Sequence, residues 1–141
     1  MAEINDFKDW DRRVIEEFRA NGGKVGGQLA GAPLLLLTTT GAKSGQQRIS
    51  PLAYLSEGGQ IYVFAGNRGA PTNPGWYYNL VAHPDVIVEI GTEKFEARAI
   101  VVDSEEGDRL GRIQVQKIPA LAELAAKITR KVPAVLLERK K

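Results

Sequence analysis

Four consecutive leucines, Leu34 to Leu37, followed by Thr38, Thr39 and Thr40, constrain this chain more than any other stretch. Four apolar residues in a row break the alternation of a half-solvated strand, so they predict a strand covered on both faces. The strand runs into Gly41-Ala42-Lys43-Ser44-Gly45-Gln46-Gln47-Arg48, where two glycines permit a turn and a close backbone approach. Lys43 and Arg48 place two cations on this loop, and Thr39, Thr40, Ser44 and Ser50 add hydroxyls. Free amides, hydroxyls and fixed positive charge suit a phosphate or a carboxylate. The same residues also make an ordinary solvated hairpin loop. Spacing excludes a Walker A loop, which needs a glycine directly before the lysine, another five residues earlier, and a helix after it. Here Ala42 precedes Lys43, a leucine takes the place of the first glycine, and Ser50-Pro51 leads into a strand.

The 141 residues leave room for one domain, residues 1–141, with a single modest core. Nineteen basic residues against 17 acidic ones give no global field that draws the protein onto nucleic acid. The terminal Arg139-Lys140-Lys141 reads as a solvated tail. The absence of cysteine excludes disulfides, thiolate catalysis and cysteine metal sites, and fits a reducing cytoplasm. The single histidine, His83, reads as a surface residue where a helix ends before Pro84, and one histidine makes no metal site. No run of 18 apolar residues exists and the amino terminus is acidic, so a soluble protein without a signal peptide is expected.

In chain order, residues 5–20 predict an amphipathic helix with Phe7, Trp10, Val14 and Phe18 on one face. Asn5 or Asp6 is the expected cap and Asn21-Gly22-Gly23 the stop. The face is expected to pack on the domain; the alternatives are contact with a membrane surface or cover over a ligand mouth. Residues 21–32 are glycine-rich and read as a linker. Strands are predicted at Leu34–Thr39, Ile49–Leu55, Ile61–Ala65, Val86–Ile90, Lys94–Val102 and Val132–Leu137, with a hairpin turn at residues 56–60 and a tight one at Gly91-Thr92. Asn73 with Pro74 predicts a cap and first helical position for a short helix carrying Trp76, Tyr77 and Leu80. Asp103 with Glu106 predicts a capping box, and Pro119 interrupts the helical pattern before Leu121, Leu124, Ala125 and Ile128. About six strands with short turns and flanking helices predict an α+β domain built on an antiparallel barrel. A Rossmann sheet is disfavoured, because most consecutive strands have no helix between them.

In such a barrel the loops at 41–48 and 66–73 open on one rim and offer Lys43, Arg48, Asn67, Arg68 and Asn73. The helix start at Pro74 adds partial positive charge. Trp76 and Tyr77 add flat apolar surface. A long ligand, aromatic at one end and anionic at the other, matches this set.

The pair TTTGAKSGQQRISPL and NPGWYYNLVAHPDV resembles the deazaflavin-dependent nitroreductase family, over roughly Pro33 to Val102 and more loosely Ile118 to Leu137. These reductases use coenzyme F-420 on a split β-barrel related to the barrels that bind flavin mononucleotide. The resemblance implies that Lys43 and Arg48, with Gly41, Ser44 and Gly45, hold the phosphate and glutamyl tail. It implies that Ser50, Pro51 and Tyr54 lie along the ribityl chain and ring, and that Ala65, Gly66 and Asn67 pass the deazaflavin edge. Asn73, Pro74, Trp76, Tyr77 and Asn79 complete the pocket, although Trp76, Tyr77 and Asn79 also suit plain helix packing. The bound cofactor would deliver a hydride to an electrophilic small molecule. Tyr54 and Tyr77 are the candidate proton donors, and solvent suffices otherwise. Members that reduce bicyclic nitro compounds carry tyrosines and a serine where this chain has Leu121, Leu124 and Gly66. The substrate pocket is therefore expected to be apolar and to favour quinones or activated double bonds over nitroimidazoles. Two other readings are a barrel that uses flavin mononucleotide and a non-catalytic carrier of the deazaflavin.

Overall fold

The computed structural model describes residues 2–26, 33–67, 70–119, 121–128 and 130–140, without the side chains of 2–9 and 124–125. Helix α1 (Ala2–Ala20) precedes strands β1 (Leu34–Thr40), β2 (Gln47–Ala53), β3 (Leu55–Glu57) and β4 (Gln60–Phe64). Helix α2 (Gly75–Ala82), strands β5 (Asp85–Ile90) and β6 (Glu93–Val101), helices α3 (Ser104–Lys117) and α4 (Leu121–Lys127) and strand β7 (Ala134–Arg139) follow. One seven-stranded sheet has the order β2-β1-β5-β6-β7-β4-β3, and every described pairing in it is antiparallel.

The two edges of that sheet are consecutive in sequence. The chain leaves β2, passes through Tyr54 and becomes β3 at the opposite edge. The predicted strand Ile49–Leu55 is thus two strands with different partners. A single curled ribbon joins its own far edge by a one-residue corner, and the Tyr54 amide is fixed there by the Pro33 carbonyl at 3.0 Å. Among the described pairings β2 has only β1 as a partner, so a split remains along its other side. Pro51 is tolerated because it stands on this edge strand, where an N–H is not needed on both sides. The antiparallel split barrel expected from the sequence is present, with seven strands instead of about six.

Both faces of the leucine run are covered, as the unbroken apolar pattern requires. Leu35 and Leu37 enter the barrel interior with Val63, Leu80, Val88 and Val135. Leu34 and Leu36 turn outward and pack under Val14 and Phe18 of α1. Arg19 at the end of α1 holds Glu89 of β5 through bonds of 3.1 and 2.8 Å, which keeps the guanidinium proton bound more tightly than usual. Val14 and Phe18 are buried, at 7% and 1% exposure, whereas Trp10 is 37% exposed. The Phe7 side chain lies outside the described residues, so among the described members of the predicted face burial is confined to Val14 and Phe18. The helix begins at Ala2, which puts Asn5 and Asp6 inside it and not at its cap. Of the predicted linker, residues 27–32 lie outside the described residues. Gly22 and Gly23 both have positive φ, and a Cβ at Gly23 would stand 2.5 Å from the Gly91 Cα, so the turn after α1 rests directly on the β5–β6 turn.

Two expected caps differ from the structure. Pro74 and not Asn73 is the cap residue of α2, so the helix starts one position later than expected, and the cap makes no side-chain bond. The Asn73 side chain is engaged by Arg130 instead. At α3, Asp103 accepts the Glu106 amide at 2.9 Å as expected, but the Glu106 carboxylate turns to Arg109 and leaves the capping box half-formed. Pro119 separates α3 from α4, and β7 begins just after Pro133. No described helix is long and apolar enough to cross a membrane, and no metal-binding cluster occurs among the described residues.

Candidate functional site

The split opens into a cleft of about 1340 Å³, walled by β2, the start of α2, α3 and the segment from α4 to β7. Arg48, Ser50 and Pro51 line it from the unpaired side of β2, and Gly66 and Asn67 from the loop after β4. Pro74, Trp76 and Asn79 line it from α2, and Leu121 from α4. Nine residues singled out from the sequence therefore share one wall system.

The loop from 41 to 46 is built mostly by its own hydrogen bonds. The Gly41 amide bonds to Gln46 O at 2.7 Å and the Gly45 amide to Gly41 O at 3.0 Å. Ser44 Oγ accepts the Gln46 amide at 3.1 Å. Gly41 has no room for a side chain, because a Cβ would come within 2.4 Å of Ser44 Oγ, and Gly45 sits at φ +70. Asn79 ties the loop to α2: its Oδ1 accepts the Ala42 amide at 3.0 Å and its Nδ2 donates to Thr39 Oγ1 at 3.2 Å. The expectation of a loop full of free amides is corrected by these bonds. Only the successive Lys43 and Ser44 amides of the turn remain without a partner among the described residues. Beside them the exposed Lys43 and Arg48 side chains make no ion pair or hydrogen bond among the described residues. Two adjacent N–H donors and two unpaired cations suit an anion, and of residues 41–48 only Arg48 is on the cleft lining.

The opposite loop is held by a residue that sequence reasoning missed. Arg130 donates from Nη2 to Ala65 O and Thr72 O, both at 2.9 Å, and from Nη1 to Asn73 Oδ1. Its Nε reaches Ala70 O at 3.4 Å. The partners lie 57 to 65 residues away in sequence, so no local spacing could have marked this arginine. Asn67 completes the loop with a positive φ of 51 and an Nδ2 bond to Thr72 O at 2.9 Å. Asparagine tolerates that conformation better than most residues.

Not every expected residue reaches the cleft. Tyr54 and Tyr77 pack against the barrel interior, and Tyr54 borders a separate recess of about 360 Å³ lined also by Phe95 and Arg139. Ala65 is fully buried and contributes backbone only. Arg68 and the Leu124 side chain lie outside the described residues. Trp76 belongs to both settings, since it joins the barrel core at 8% exposure and also borders the cleft. The first turn of α2 carries no acidic residue and no side-chain cap, so the positive end of that helix is left for the cleft. The sequence reading also gave α3 no part in the site, yet Gly111, Arg112 and Val115 form one wall of it. Asp11 brings α1 to the rim.

Residues 10–139 match the family described as F420H(2)-dependent quinone reductase. An F420H(2)-dependent quinone reductase of Mycobacterium tuberculosis (strain ATCC 25618 / H37Rv) is 35% identical over 127 residues, which cover 87% of this chain and 85% of that protein. A solved structure named F420-H2 Dependent Reductase (FDR-A) is 36% identical and superposes with a TM-score of 0.66 over 75% of this chain and 94% of its own. Another, described as a domain-swapped dimer, is 33% identical with a TM-score of 0.68 over 93% and 98% of the two chains.

Proposed function

This chain belongs to the F420H(2)-dependent quinone reductase family, and from that premise we propose that the barrel split is where cofactor and quinone meet. It is an F-420-dependent oxidoreductase on a split-barrel fold. When bound in its reduced form, the deazaflavin supplies a hydride from its central ring. A quinone that receives this hydride and a proton leaves as the hydroquinone.

The chain's own residues divide the remaining work. Lys43 and Arg48, with the Lys43 and Ser44 amides, hold the phosphate and carboxylates of the cofactor tail at the mouth. Asn79 keeps that loop in place from α2. Ser50 and Pro51 on β2 and Trp76 on α2 flank the ring system, all three being on the cleft lining. The Gly66–Asn67 backbone, fixed by Arg130, borders the ring edge. Leu121 and Ile128 form an apolar wall that excludes water and brings the acceptor against the ring. With Tyr54 and Tyr77 off the cleft, the proton comes from water at the open rim.

One observation carries this reading: a cleft of about 1340 Å³ is lined by Arg48, and the loop leading into Arg48 carries the unpaired Lys43 and two adjacent amides without a partner among the described residues. Lys43→Ala combined with Arg48→Ala is expected to weaken binding of oxidised F-420 by about 100-fold or more, since each charge-assisted bond contributes ~1.5–3 kcal/mol. Calorimetric titration of F-420 and, separately, of flavin mononucleotide measures this. An affinity unchanged by the double substitution returns the loop to a solvated turn, and tighter binding of flavin mononucleotide overturns the cofactor assignment. Turnover of 2-methyl-1,4-naphthoquinone with reduced F-420 distinguishes a reductase from a carrier.

A further inference from the structure

We propose that Arg112, on the α3 wall of the cleft, selects acceptors carrying an acidic substituent, so that anionic quinones are preferred substrates. The inference rests on the reductase reading above and adds the chemical class of the acceptor.

Arg112 borders the cleft and makes no hydrogen bond or ion pair among the described residues. The other cations around this wall are occupied. Arg109 is held by Glu106 at 3.1 Å, and Lys131 by Asp108 at 2.9 Å. Arg130 is bound to the loop carbonyls. Asp11 and Asp108 are the acidic residues on the lining, and neither pairs with Arg112. Arg48, the remaining cation on the lining without a partner among the described residues, belongs to β2 and not to the α3 wall.

The helix surface next to Arg112 is open. At Gly107 α3 packs on β7, where a Cβ would meet the Ala134 Cβ in ordinary contact at 3.5 Å. One turn later, a Cβ at Gly111 would meet nothing within 4 Å. A planar ring therefore lies against bare helix backbone at Gly111 with its substituent beside the guanidinium. A ring in that position displaces water from Arg112. A neutral acceptor leaves the cation partly desolvated, whereas a carboxylate or sulfonate replaces the lost water with charge-assisted, bidentate hydrogen bonds.

The test compares 1,4-naphthoquinone-2-sulfonate with neutral 2-methyl-1,4-naphthoquinone on wild type, Arg112→Ala and Arg112→Lys. Binding of each quinone to the complex with oxidised F-420 is measured by calorimetry, beside steady-state turnover and the affinity for F-420 itself. Arg112→Ala is expected to raise Kd and KM for the sulfonate about tenfold to a hundredfold. Arg112→Lys restores part of the loss, and values for the neutral quinone stay within about twofold. An equal loss for both quinones, or no loss for either, overturns the proposal. So does weakened F-420 binding with acceptor binding intact, which assigns Arg112 to the cofactor tail. Failure of wild type to bind F-420 or to reduce either quinone is a separate result that removes the reductase reading, and the proposal with it.

Discussion

Arg130, itself on the cleft lining, shows how one side chain organises the loops around a site. Its guanidinium fork spans the loop after β4 and the strand entry at β7, donating to the carbonyls of Ala65, Ala70, Thr72 and Lys131. Arg130→Ala is expected to cost roughly 2–4 kcal/mol of stability, because several part-buried acceptors lose their donor together. Arg130→Lys recovers only part, since an ammonium cannot reproduce the planar fork. Urea denaturation of the three proteins checks both statements. The sequence could nominate Lys43 and Arg48 because their significance is local: glycines and hydroxyls surround them. Arg130 has no such neighbourhood, and its role exists only after distant segments meet. Asn79 is intermediate. Its place in the motif was legible, but its task of pinning the Ala42 amide and Thr39 was not.

Among the elements, those with a strong internal period were the most legible. The leucine run, the β5–β6 hairpin and the Asp103 cap follow from local chemistry and stand where expected. Asp103→Ala is expected to destabilise the protein by about 0.5–2 kcal/mol through loss of the 2.9 Å bond to the Glu106 amide; a thermal melt of the variant measures it. Elements whose limits depend on partners were misread. Ile49 to Leu55 has continuous strand character, and nothing in it marks Tyr54 as a corner, because the corner is set by β1 pairing on one side and β4 on the other. Helix α3 was recognised as a helix but not as a cleft wall. Its inward side shows Gly107 and Gly111, and glycines on a helix announce no face until the neighbouring strand is known.

For the molecule as a whole, exposed ion pairs on the sheet and on α3 set a mild acid sensitivity. Lys140 bonds to Asp85 at 2.7 Å and Arg109 engages Glu106, and each cation holds its carboxyl partner below the usual range. A depressed folded-state value means that the stabilisation is present above the unfolded carboxylate pKa and is lost as pH falls through the lower folded value. Melting temperature should therefore decline as pH drops below about 4. Lys140→Ala should flatten that decline slightly, because the pair is exposed and screened; melts at a series of pH values test this.

The unpaired flank of β2 also leaves a signature in solution. Strand β1 has neighbours on both sides, whereas the outward half of the β2 amides have no strand to bond. Deuterium should enter those β2 positions well before it enters β1. Filling the slot with F-420 should retard the uptake, so the time course of labelling reports occupancy of the slot without any turnover.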